Sequence, residues 1–92
     1  MSQSIMQSGR ECYITGSTTD LHRHHIYGGG RRQASEKWGC WVWLRADWHN
    51  MSDYSVHYDA ELSLQLKQEC QRRFEALYGQ AKFMEVFNKN YL

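Results

Sequence analysis

The segment Leu21-His22-Arg23-His24-His25-Ile26 decides how this chain is interpreted. It reads as a β-strand, and neighbouring side chains of a strand point to opposite faces, so His24 and His25 face different ways. Two further histidines, His49 and His57, follow after a glycine-rich loop and an aromatic stretch. Three imidazoles brought together can hold a divalent metal, and a fourth nearby can take a proton from water. These residues indicate a metal-dependent phosphodiester hydrolase, or a relative that keeps the metal for its shape.

Size and composition narrow the class of protein. The chain has 92 residues, which predicts one domain with a modest core that a metal would help to stabilise. Its formal net charge is +1, which is weak for a nucleic-acid-binding protein, so any attraction to phosphate has to come from a local patch. The cysteines number three and are far apart, which favours a reducing cytoplasm over a disulfide framework. No apolar run approaches the length of a membrane span, so we expect a cytoplasmic protein with no membrane partner.

The pattern along the chain predicts an α+β fold. Residues 1–10 are polar and small and are expected to form a flexible tail, and residues 11–92 are expected to form a single domain. Within this domain, residues 21–27 predict a first strand, and residues 31–39 predict a polar loop after three consecutive glycines. Residues 40–44 are aromatic and β-branched, and they predict a second strand.

Helices are expected in the second half of the chain. Asp59 suits the N-cap of a long amphipathic helix, and Gly79 is expected to break or kink it before a short terminal helix. Apolar residues recur at spacings of three and four, which predicts one stripe facing the core. The stripe consists of Leu62, Leu66, Cys70, Phe74, Leu77 and Ala81.

A series of short motifs follows the predicted order of strand, loop, strand and helix. They are His22-Arg23-His24-His25-Ile26, Gly28-Gly29, Arg31, Ser35-Glu36, Trp43-Leu44, His49-Asn50, Val56-His57 and the closing residues 83–92. In this order they resemble the HNH-type nucleases of the ββα-metal kind, and small phage proteins among them, over nearly the whole chain after the tail. The resemblance implies a ββα-metal hairpin plus helix, followed by a long amphipathic helix and a short terminal helix.

The resemblance also implies roles for single residues. His24 would be a metal ligand at the end of the first strand, and His49 and His57 would complete the protein's share of the coordination shell. His25, directly after the ligand, would be the general base that deprotonates water. Asn50 is the second candidate catalytic residue, with capping of a local helix as the alternative.

Four further residues are candidates for the surroundings of the site. Arg31 and Arg32 are expected to neutralise a substrate phosphate, with simple solvation as the alternative. His22 lies on the face of the strand that carries the expected ligand, so it is a possible accessory metal ligand. Cys12 is a second possible accessory ligand.

The expected cofactor is one divalent metal. A site of three imidazoles suits zinc, nickel or manganese, and zinc is the expected occupant. Magnesium prefers oxygen ligands, so it would require Asp47 or Asp53 to join the site.

The chain departs from the family in two places. Many relatives hold a second, structural zinc with two Cys-x-x-Cys pairs, but Cys12 is the only cysteine of the first pair, and Arg45 and Trp48 stand where the second would lie. The asparagine that orients the base in the family is not evident at residues 37–39, where it would be expected. Poor orientation of the base would slow catalysis even with the metal in place.

Two functions therefore stay open. The first is a phage endonuclease or nickase that hydrolyses phosphodiester bonds in DNA. The second is a catalytically weak or inactive binding protein, stabilised by zinc, whose partner is a host defence protein, as in an anti-CRISPR-like inhibitor. The adjacent pair His24 and His25 favours the first function, and the near-neutral charge and missing asparagine favour the second.

Overall fold

The fold is α+β and is built on one antiparallel hairpin, as the sequence predicts. The computed structural model describes residues 2–52 and 54–92. The elements follow in this order: β1 (Leu21–His25), a 3-10 turn (Gly29–Arg31), α1 (Arg32–Trp38), β2 (Trp41–Arg45), a π-helical turn (Asp47–Met51), α2 (Ala60–Tyr78) and α3 (Gln80–Phe87).

The register of the hairpin sorts the histidines of β1 onto two faces. β1 and β2 pair with His24 opposite Val42 and His25 opposite Trp41. Because side chains alternate along a strand and cross-strand partners share a face, His24 lies on the face of Val42, which is fully buried. His25 shares the other face with Trp41 and with Arg23, whose guanidinium carbon lies 3.8 Å from the centroid of a Trp41 ring.

The segment that connects the strands contains a helix, so the prediction of a polar loop over residues 31–39 is wrong. The helix α1 is anchored by Ser35, which is fully buried and exchanges hydrogen bonds with both backbone groups of Tyr27. The ring of Trp38 packs edge-on against an aromatic ring of α2. Gly39, at φ +75°, ends the helix in the left-handed conformation that glycine adopts readily. The contacts of Ser35 and Trp38 are with residues outside the helix, in the chain after β1 and in α2. The helix itself is short and polar and has no apolar periodicity by which the sequence could predict it.

The predicted ends of the long helix are confirmed. Asp59 caps α2, and its carboxylate accepts hydrogen bonds from two backbone N–H groups of the first turn. Gly79, at φ +91°, separates α2 from α3. Within residues 2–52 and 54–92, no helix combines the length and the apolar character needed to cross a membrane.

The apolar stripe of α2 is core only in its middle, where three residues are buried: Leu66, Cys70 and Phe74. Leu77 is 61% exposed and Ala81 is also exposed, so the prediction fails at the C-terminal end of the stripe. Because the chain turns after α2, Phe83 and Phe87 of α3 are fully buried and contact the ring of Phe74. The short terminal helix thus supplies two aromatic residues to the core beside the middle of the stripe.

The expected N-terminal tail packs along the free edge of β2. The backbone N–H of Ile5 donates to the carbonyl of Gly39 at 2.9 Å, and the side-chain oxygen of Gln7 accepts from the N–H of Trp43 at 2.7 Å. Met6 is only 3% exposed and belongs to the core. An edge strand presents unpaired backbone groups, and this segment satisfies some of those of β2. Over its described residues, the segment is a cover for the sheet edge and not a loose tail.

Candidate metal centre

Three histidines from separate parts of the chain converge beside the hairpin. The centroid of the His24 ring lies 5.4 Å from that of His49 and 5.4 Å from that of His57, and the latter two are 4.7 Å apart. Each residue offers one nitrogen, and these three nitrogens all lie within 4.8 Å of one another. The convergence expected from the sequence is therefore present, and the cluster can hold a metal ion.

Two short elements after β2 bring the second and third histidines to the strand. His49 lies in the π-helical turn Asp47–Met51. The backbone N–H of Val56 donates to the carbonyl of Trp48 at 2.7 Å, so the loop returns to the turn that it left. His57, the next residue in the chain, therefore lies beside His49.

The chemistry of the donor set fits a metal. His24 is 7% exposed, and burial, with repulsion from His49 and His57, lowers its pKa to about 3. Burial and neighbouring histidines lower the pKa of His49 to about 4, so both rings are neutral at pH 7 and present lone pairs. Within the described part of the chain, the buried Nε2 of His24 has no hydrogen-bond partner. An unsatisfied buried nitrogen costs about 1–3 kcal/mol, and coordination of a metal would satisfy it.

The two possible accessory ligands take other places. The Nδ1 of His22 lies 3.1 Å from the Nδ1 of His49, so one ring donates a hydrogen bond to the other and helps to orient it. Cys12 is buried, and its sulfur accepts a hydrogen bond from the N–H of Thr15. Burial raises the pKa of the Cys12 thiol, but hydrogen bonds from Thr15 and nearby backbone outweigh it, and the net pKa is lowered. Among the described residues, neither joins the cluster of three.

The oxygen ligands that magnesium would need are not offered by Asp47. Arg45 donates to both oxygens of this carboxylate, at 2.7 and 2.9 Å, and the hydroxyl of Tyr54 donates to one of them at 2.7 Å. These hydrogen bonds, that from Arg45 foremost, hold the pKa of Asp47 well below its usual range. The second candidate, Asp53, lies outside the described residues.

The predicted base, His25, is paired with a carboxylate that the sequence interpretation missed. Its Nε2 lies 3.1 Å from Oε1 of Glu36, and Glu36 also accepts hydrogen bonds from Arg23 at 2.8 and 3.0 Å. Burial raises the pKa of Glu36, but the bonds from His25 and Arg23 outweigh it, and the pKa falls below its usual value. Glu36 directly precedes residues 37–39, where the resemblance predicts an orienting asparagine, so the acidic residue one position earlier is the signal that the sequence offers.

The remaining predicted site residues are placed differently from one another. Arg32 is exposed, and its Nε lies 3.4 Å from Nδ1 of His25. Arg31 instead donates through Nε to the carbonyl of Phe87 at 2.5 Å, so it ties the connection between the strands to the end of α3. Asn50 is exposed on the π-helical turn that carries His49. Of these three, only Arg32 lies against the predicted base.

Comparisons with known proteins add no relative. No protein-family model, curated protein or solved structure matches this chain. The arrangement described above therefore rests on the chain's own geometry: three converging imidazoles, and, at the next position of β1, a histidine hydrogen-bonded to a carboxylate.

Proposed function

We propose that this chain is an HNH-like, metal-dependent endonuclease or nickase that hydrolyses phosphodiester bonds in DNA. The observation that carries the proposal is that two consecutive histidines of β1 have different surroundings. His24 belongs to the three-histidine cluster, and His25 is bonded to Glu36. A metal ligand followed by an oriented base is the arrangement that the family resemblance implies.

The metal of this proposal is zinc, held by His24, His49 and His57. Neutral imidazoles are good ligands for zinc and also for nickel, whereas magnesium prefers carboxylate and carbonyl oxygens. When bound, the metal supplies positive charge that stabilises the phosphate and the leaving oxygen. Manganese and nickel are the alternatives for activity, and magnesium is the poorest match because Asp47 is engaged by Arg45.

The protein's own groups supply the rest of the chemistry. His25 takes a proton from the attacking water. It directly follows the ligand His24 on β1. Arg32, exposed and next to the base, binds a phosphate oxygen of the substrate. Asn50, exposed on the turn that carries His49, contacts the DNA beside the metal.

The test is cleavage of supercoiled plasmid by purified protein with Zn²⁺, Mn²⁺, Ni²⁺ or Mg²⁺, beside a His25→Ala variant purified in the same way. We expect metal-dependent nicking by the wild type and at least a hundredfold loss in the variant, since a general base contributes about 10²–10⁴ in rate. Both proteins should retain the metal, because His25 is not a ligand. Nicking of equal rate in the variant, or none by the wild type with any of the four metals, contradicts the proposal.

A second candidate function is a zinc-stabilised protein that binds a host defence protein without catalysis. The specific observation in its favour is that both ring nitrogens of His25 already have partners, Glu36 and Arg32. The net charge of +1 also gives little long-range attraction to DNA. In this case the plasmid stays intact, zinc is retained, and removal of zinc by a chelator unfolds the protein.

A further inference from the structure

The face of the hairpin opposite the metal centre carries an ordered network around Glu36. Its carboxylate accepts from Nη1 of Arg23 at 2.8 and 3.0 Å and lies 3.1 Å from Nε2 of His25. Arg23 is itself held, because its guanidinium carbon lies 3.8 Å from the centroid of a Trp41 ring and 5.2 Å from that of a Trp43 ring. The carboxylate is thus fixed by a cation that stacks on two tryptophans.

The hydrogen-bonding capacity of the neighbours determines which nitrogen of His25 carries hydrogen. An ionised carboxylate only accepts, so Nε2 facing Glu36 must be the N–H. A guanidinium only donates, so Nδ1, at 3.4 Å from Nε of Arg32, must offer its lone pair. One form of the ring satisfies both contacts, with hydrogen on Nε2 and a bare Nδ1.

From these contacts we propose that Glu36 is a positioning residue, which fixes the ring of His25 so that Nδ1 is the nitrogen that accepts the proton of the attacking water. The proposal rests on the nuclease function proposed above. In this proposal Glu36 orients the base directly, through a hydrogen bond between its carboxylate and the imidazole. The exposed guanidinium of Arg32 covers Nδ1 and leaves it when a substrate phosphate competes for the same N–H groups.

The first test is independent of catalysis. Nitrogen-15 NMR of the zinc-loaded wild-type chain at pH 8 reports which imidazole nitrogen of each histidine carries hydrogen. We expect His25 to show hydrogen on Nε2 and a bare Nδ1, and Glu36→Ala to lose this single-tautomer pattern. Hydrogen on Nδ1 of His25 in the wild type, or an identical spectrum in Glu36→Ala, overturns the positioning role.

The second test uses the kinetics of plasmid nicking with the metal that supports it. We expect Glu36→Ala to lower kcat roughly ten- to a hundredfold, with KM and metal content unchanged, which is the usual size of an orientation effect. Glu36→Gln should recover part of the loss, because its amide oxygen can still accept from Nε2. Glu85→Ala removes an exposed carboxylate of α3 that pairs with Lys82, and it is the matched control with wild-type kcat.

The two proposals fail separately. If the wild type does not cut DNA, the nuclease function is wrong, and the NMR experiment still decides whether Glu36 orients His25. If the wild type cuts DNA and Glu36→Ala cuts equally fast, the positioning role is wrong and the nuclease function stands. A rise in KM without a fall in kcat would place Glu36 in substrate binding and would equally overturn the positioning role.

Discussion

Acid should destabilise the metal-free protein between pH 7 and pH 5, and the cause is the burial of imidazoles in the cluster. The pKa of His24 falls from its ordinary 6.5 to about 3, because burial and two neighbouring histidines oppose its charge. The unfolded chain takes up a proton below pH 6.5, and the folded chain resists it until about pH 3. Stability from this group is therefore present above pH 6.5 and is lost as the pH falls toward 3.

The size of the effect follows from the two pKa values. Between pH 7 and pH 5, His24 alone should remove about 2 kcal/mol from the free energy of unfolding, at 1.36 kcal/mol for each unit of pKa difference that is titrated. For a domain of this size, that corresponds to a fall in Tm of roughly 8–16 °C. His49, whose pKa is lowered to about 4, acts in the same direction. The lowered carboxyl pKa values of Glu36 and Asp47 have little effect between pH 7 and pH 5, because their stabilising effect is lost as the pH falls through the ordinary carboxyl values of 4.5 and 3.8 and below.

The assay is urea unfolding with a chelator present at pH 7, 6 and 5, for the wild type and for His24→Leu. The variant replaces a buried, unsatisfied imidazole by an apolar side chain, so it should fold without metal and lose about 2 kcal/mol of the pH dependence. Equal unfolding free energies for the metal-free wild type at pH 7 and pH 5 would refute the reasoning, since the rings would then titrate alike in the folded and unfolded states.

Two further predictions concern metal binding and the edge of the sheet. Zinc at 100 times its Kd should raise the free energy of unfolding by about 2.7 kcal/mol, which thermal melting can measure. The rise should be absent in His49→Ala and present in His25→Ala. An equal rise in both variants would exclude His49 as a ligand. In urea unfolding, Gly39→Ala should lower the stability of the protein more than Gly29→Ala. Both glycines lie at positive φ, where alanine costs about 1–2 kcal/mol. Only at Gly39 would the new Cβ also collide with the carbonyl oxygen of Gln3. Equal losses at the two glycines would mean that the N-terminal segment does not pack there.

Local signals in the sequence were sufficient for much of the fold. The composition of the two strands predicts the hairpin, and Asp59 and Gly79 act at the ends of α2 through contacts within a few residues. The histidines could be assigned to one cluster from the order of motifs in the family resemblance. The spacing of the histidines in the sequence does not by itself predict that His57 lies next to His24. They meet because the loop after the π-helical turn folds back, with the N–H of Val56 hydrogen-bonded to the carbonyl of Trp48.

Features that depend on contacts between separate elements were not predictable from local pattern. The helix α1 depends on the burial of Ser35 against Tyr27, and its sequence carries no apolar stripe. Because the sequence pattern predicts a loop here, it does not place Glu36 beside His25. The N-terminal segment likewise has little apolar character, and its order comes from backbone groups of β2 that it satisfies.

The most direct measurement of the central claim is the crystal structure of the zinc-loaded protein, with anomalous data collected at the zinc edge. We predict one anomalous peak with three protein ligands, nitrogens of His24, His49 and His57, each about 2.0–2.1 Å from the metal. An anomalous peak bound elsewhere, for example by the sulfur of Cys12 at about 2.3 Å, or no peak between these three rings in protein that contains zinc, would contradict the account.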